Sequence, residues 1–183
     1  MIVERRNSLQ KKPYNRQEDI QMKIVIVYDS STGTTAEAAE TMGNMMEKHG
    51  HQCWVQSVSQ VDPANVSEAD LICVGSWVKG LFIIRQHPAE GTMRFIEQLG
   101  NLEGKQTVVF CTYKLAVGST LRQMAQALEG KGAKVVGQFK YRGPEPKNKF
   151  ASFAASLSWE SVFLGVTHRG ETKCENLKEY CWQ

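Results

Sequence analysis

Between Met22 and Leu157, short apolar runs alternate with segments whose apolar residues recur every three or four positions. The runs predict strands at 23–28, 53–58, 71–75, 107–112 and 134–141. The first, third and fourth are almost continuously apolar, as expected of strands covered on both faces of a parallel sheet. The second and fifth alternate more (Val55 with Ser57, Val136 with Gln138), which places them at the outer positions. Helices are predicted at 34–48, 92–99, 119–129 and 149–157. The first carries Ala38, Ala39, Met42, Met45 and Met46 along one face and stops at His49-Gly50; the next two stop at Gly100 and Gly130. These Met and Leu stripes read as core packing. Strands alternating with helices imply a three-layer α/β fold with a parallel sheet and right-handed crossovers.

In such sheets ligands bind beyond the carboxyl ends of the strands. Three loops therefore carry the candidate chemistry: 29–35, 76–91 and 112–118. The first reads Asp29-Ser30-Ser31-Thr32-Gly33-Thr34-Thr35 and opens a helix. Backbone amides at a helix start, together with its dipole, attract an anion, and Gly33 permits a close backbone approach. The hydroxyls of Ser30, Thr32, Thr34 and Thr35 add donors. No Lys follows as in a Walker loop, and there is no GxGxxG, so a monophosphate suits the loop better than a triphosphate or dinucleotide. The plainer alternative is that these Ser and Thr residues only cap the helix.

The second loop, Gly75-Ser76-Trp77-Val78-Lys79-Gly80, puts a tryptophan between glycines at a strand end, where its flat face suits a heteroaromatic ring. Packing on a neighbouring helix remains the alternative. The third, Thr112-Tyr113-Lys114-Leu115-Ala116-Val117-Gly118, offers Tyr113 to the same ring and Thr112 to its polar rim; an ordinary surface tyrosine is the alternative.

Composition narrows the class. A chain of 183 residues that is 42% hydrophobic and 22% charged forms one core. No apolar run approaches the ~20 residues of a membrane helix, and the start Met1-Ile2-Val3-Glu4-Arg5-Arg6 is not that of a secreted protein, so a cytoplasmic location is expected. The net charge of +3 is spread out, which argues against nucleic-acid binding. Five cysteines without a CxxC, and four scattered histidines, predict neither a disulfide framework nor a metal site. Cys73 and Cys111 lie in strand runs and read as small core residues.

Two segments fall outside the 22–157 domain. Residues 1–21 are polar and are expected to be a disordered extension. They are also expected to be non-native: Gln17-Glu18-Asp19 can be encoded by a purine-rich ribosome-binding sequence that would start translation at Met22. Finding peptides from 1–21 in the host's own protein contradicts this. Residues 158–183 form a C-terminal extension with Trp159, Phe163, Leu164 and Trp182 and no clear period.

With the three loops in place, residues 22–157 resemble the flavodoxin family. Tyr28-Asp29-Ser30-Ser31-Thr32-Gly33-Thr34-Thr35 is similar to its S/T-x-T-G-x-T phosphate loop, Gly75-Ser76-Trp77-Val78-Lys79-Gly80 to its second flavin loop, and Phe110-Cys111-Thr112-Tyr113 to its third. The resemblance implies a five-stranded sheet of order 2-1-3-4-5 and non-covalently bound FMN. It assigns Ser30, Ser31, Thr32, Gly33, Thr34 and Thr35 to the FMN phosphate. Ser76, Trp77, Val78, Lys79 and Gly80 fall at the isoalloxazine edge, and Thr112 and Tyr113, with Gly118 closing their loop, on its other side. The leading expectation is an electron carrier between a reductase and an acceptor enzyme, supported by the single small domain without an evident second-substrate pocket; no catalytic acid, base or nucleophile stands out in the sequence. The alternatives are an FMN-dependent NAD(P)H oxidoreductase, using the 80–91 segment with Arg85 and His87 as a pocket for a quinone or other small acceptor, and a flavin-free binding module. Electron-carrying flavodoxins are strongly acidic, whereas residues 22–157 carry 14 Lys+Arg against 12 Asp+Glu, and the loops hold Lys79, Arg85 and Lys114. A cation ~8 Å from the flavin at an effective dielectric of ~20 favours its anionic, fully reduced form by about 2 kcal/mol. That is on the order of 90 mV for one electron before screening. A milder reductant than the acidic flavodoxins is expected; a redox titration giving a couple as low as theirs contradicts it.

Overall fold

The computed structural model describes residues 21–81, 84–146 and 148–157. Five parallel strands form the central sheet: β1 (Lys23–Asp29), β2 (Gln52–Ser57), β3 (Leu71–Leu81), β5 (Gln106–Thr112) and β6 (Lys134–Tyr141), in the spatial order β2-β1-β3-β5-β6. Counting parallel strands alone, this is the expected 2-1-3-4-5 order, with the two alternating strands at the edges. A sixth strand, β4 (Ile84–Pro88), was not foreseen. It pairs antiparallel with the outer half of β3, Val78 opposite Pro88 and Lys79 opposite His87, with a register shift between Lys79 and Leu81.

Period-two alternation divides the strand side chains between two cores. Ile24, Ile26, Leu71, Cys73, Val108 and Phe110 face α1 (Thr34–Lys48) and α5 (Asn148–Ser156), meeting Ala38, Met42, Met46, Phe150 and Phe153. Val27, Ile72, Val74 and Val109 face α2 (Pro63–Val66), α3 (Glu90–Gln98) and α4 (Thr120–Glu129), meeting Val66, Phe95, Ile96, Met124 and Leu128. The apolar stripes are therefore core, and so are Cys73 and Cys111, both fully buried; burial pushes the Cys111 thiol up to about 12. Predicted and observed bounds agree to within two residues except at β3, which runs on to Leu81. The short α2 went unpredicted although Asp62-Pro63 is a cap-and-Pro start: the Asp62 side chain accepts from Ala64 N–H at 3.0 Å. The expectations for 1–20 and 158–183 lie outside the described residues.

Candidate functional site

The carboxyl ends of β1, β3, β5 and β6 open into a cleft of about 660 Å³. Of the residues singled out from sequence, Ser31, Thr32, Thr34, Thr35, Trp77, Val78, Gly80, Thr112 and Tyr113 line it. The three loops thus converge, and hydroxyls join two of them: Thr35 Oγ1 and Thr112 Oγ1 lie 2.7 Å apart, both residues buried.

The first loop is built for a ligand more than for its own helix. The N-cap of α1 is Gly33, at φ +86°, and no side chain caps the helix. The neighbouring hydroxyls are therefore not spent on capping, which removes the plainer reading of this loop. The first intrahelical bond runs from Glu37 N–H to Gly33 O at 2.9 Å, so the amides before it have no helical acceptor. Among the described residues, Ser30 Oγ is buried with no hydrogen-bond partner. A buried hydroxyl and a helix start that both lack partners fit a bound oxyanion.

Ser30, Gly33, Ser76, Lys79 and Gly118 are not part of the lining. The Ser76 hydroxyl donates to Trp77 O at 2.9 Å and accepts from Ala89 N–H at 2.9 Å and Thr92 Oγ1–H at 3.0 Å, which exhausts one donor and two acceptor sites. With Asp29 Oδ2, which accepts Thr92 N–H at 3.1 Å, it fixes the start of α3 on the sheet. Its role is to seat the β3–β4 hairpin beside the cleft. Ser76→Ala strands two buried donors, and about 1–3 kcal/mol of stability should be lost in a denaturant titration. Lys79 Nζ turns to Glu90, 2.7 and 2.8 Å from its two carboxylate oxygens; that bond holds the Glu90 carboxyl below the usual carboxylate range. Gly118, at φ +55°, has no room for a side chain: a Cβ there would lie 2.6 Å from Gln86 Cβ.

Gln86, Lys114, Leu115, Ala116, Arg142, Gly143 and Pro144 complete the lining without having been assigned to it. Arg142-Gly143-Pro144 was legible in principle, since it follows the last strand at the same sheet edge as the other loops. Gln86 was not, because it reaches the cleft only through the β3–β4 pairing. Arg142 Nε donates to Lys114 O at 3.2 Å and clamps this fourth loop to the third.

The flavodoxin family model matches residues 26–178. The chain belongs to the flavodoxin family. That family consists of FMN-binding electron-transfer proteins. A search of curated proteins finds no match. Among solved structures, the two-electron reduced Megasphaera elsdenii flavodoxin is 22% identical with a TM-score of 0.63, over 72% of this chain and 95% of that one. The Streptococcus pneumoniae TIGR4 flavodoxin is 22% identical with a TM-score of 0.62, over 74% and 97%. The flavodiiron protein of Giardia intestinalis is 16% identical with a TM-score of 0.56, over 73% of this chain but 34% of that one. The fold thus occurs both as a whole chain and as about a third of a longer one. Among the described residues, the two charged residues that line the cleft, Lys114 and Arg142, are both cations. Lys79 leaves the set of cations expected to act on the cofactor, because Glu90 offsets its charge, and Arg142 enters it.

Proposed function

We propose that this chain holds FMN in the cleft and carries electrons between a reductase and an acceptor enzyme in the cytoplasm. The observation that carries the reading is the coincidence, at one sheet edge, of an uncapped helix start with an orphaned Ser30 hydroxyl and two aromatic residues, Trp77 and Tyr113. Ser30, Ser31, Thr32, Thr34, Thr35 and the amides around Gly33 would hold the phosphate. Trp77, Val78, Gly80, Thr112 and Tyr113 would hold the ring system, with Gln86 as a polar group at its side. Bound FMN supplies one- and two-electron transfer; this chain supplies the site, its exclusion of water and its electrostatics.

The 80–91 segment supports a carrier over a stand-alone reductase. Of its described residues only Gly80 and Gln86 line the cleft, and His87 Nδ1 is engaged with Pro88 O at 2.8 Å. The hairpin forms a wall packed against the start of α4, where Ser119 Oγ donates to Gln86 O at 3.2 Å. Free Cys53, Cys73 and Cys111 suit a reducing compartment. Anaerobic mixing of the FMN-loaded protein with NADPH tests the assignment. Flavin bleaching is expected only when a flavodoxin reductase is added; bleaching by NADPH alone contradicts the carrier role and favours the oxidoreductase.

A further inference from the structure

Lys114, Leu115 and Arg142 form a lip on the cleft, and their side chains are assigned no contact with the phosphate or the ring system. Leu115 is 59% exposed, one of only two large exposed apolar side chains among the described residues. Lys114 and Arg142 are exposed beside it, held together by the Arg142 Nε bond to Lys114 O. Among the described residues neither takes part in an ion pair, and no carboxylate lines the cleft. The carboxylates closest along the chain to lining residues are Glu145, next to Pro144, and Asp29 and Glu37, each two residues from one; Glu145 and Glu37 are exposed, and Asp29 Oδ2 is engaged by Thr92 N–H at 3.1 Å. Exposed Arg85, next to Gln86 on the hairpin, adds a further positive charge.

We infer that this lip docks the acidic surface of a redox-partner protein over the cleft, with Leu115 as the apolar contact and Lys114 and Arg142 facing carboxylates. The inference rests on the carrier reading and gives its partner a charge. A protein is the fitting occupant because an apolar side chain flanked by cations gains from an extended surface, whereas a small anion uses the cations alone. Carrier contacts are small and short-lived. Charges at such a rim act mainly on the association rate and its salt dependence. The attraction weakens once the ionic strength brings the Debye length below about 10 Å.

Cytochrome c provides a probe of either sign, its native surface being rich in lysine and its succinylated surface in carboxylate. The FMN-loaded protein is fully reduced without oxygen by one equivalent of dithionite and mixed with excess ferricytochrome. Each haem iron passes from Fe(III) to Fe(II) by one electron, so each reduced flavin serves two cytochromes. At low salt the succinylated form should be reduced about tenfold faster than the native form, within the range of electrostatic steering, and added salt should erase the difference. The double variant K114E/R142E should invert the ratio. Comparing ratios between proteins cancels any change in the flavin's potential and any difference between the cytochromes. Leu115→Ser should slow the succinylated reaction at every salt concentration. A loaded protein that prefers native cytochrome, or a ratio unmoved by K114E/R142E, overturns the inference and leaves the carrier reading standing. A protein that takes up no FMN overturns both.

Discussion

Gly75→Ala is expected to lower the stability of the apoprotein by about 3 kcal/mol, the upper end of overpacking costs. A Cβ at Gly75 would lie within 2.6 Å of three ring atoms of Phe110, a fully buried side chain. Neither partner can give way. Gly75 pairs with Tyr28 on one side and Phe110 on the other, at the centre of the parallel sheet, so its backbone is held by two ladders. Phe110 in turn packs against Tyr141 at a centroid distance of 6.3 Å, within the core that α1 and α5 cover. The denaturant midpoint should fall with the slope unchanged. Gly100→Ala is the matched control: among the described residues nothing lies within 4 Å of its added Cβ, and its stability should stay within about 0.5 kcal/mol of the parent. A Gly75→Ala protein as stable as the control would mean that the sheet's centre is looser than its packing indicates.

Trp77→Ala is expected to weaken FMN binding about tenfold to a hundredfold. The loss of one stacking aromatic costs about 1–3 kcal/mol when a planar base lies on it. Trp77 belongs to β3, paired with Thr112 of β5, so its backbone is fixed by the sheet while its half-buried ring lines the cleft. Removing it takes away ligand contact without disturbing the two buried cores. Trp54 supplies the comparison, since it is 46% exposed on the edge strand β2 and away from the cleft. Trp54→Ala should leave the FMN affinity as it was. An unchanged affinity in Trp77→Ala removes Trp77 from the site.

The layers, the edge positions of β2 and β6, and α1 were legible because each rests on burial, and burial leaves a period in the sequence; the full strand order was implied by the family resemblance alone. The end of β3 was not legible. Its apolar run stops at Gly75, so periodicity closes the strand there. The chain nevertheless stays extended, since Ser76 and Trp77 still pair with Cys111 and Thr112, and Val78 and Lys79 pair with β4. Backbone hydrogen bonding decides that stretch, and it leaves no mark on hydrophobicity. The same fact explains Ser76 and Lys79: sequence places them in a binding loop, but three hydrogen bonds claim one and Glu90 the other. Hydroxyls in a row signal an anion loop, yet only the Gly33 cap shows that they are not spent on the helix. Arg142 lies some thirty residues along the chain from Lys114, and only the register of β5 with β6 makes them neighbours.

The most direct test of the account is a titration of the apoprotein with FMN and, in parallel, with riboflavin, which lacks only the phosphate. With the phosphate held by the loop from Ser30 to Thr35, FMN should bind at least about a hundredfold more tightly, the ~3 kcal/mol expected of two or more hydrogen bonds to a charged group. Equal affinities, or no uptake of FMN, would contradict the assignment of that loop.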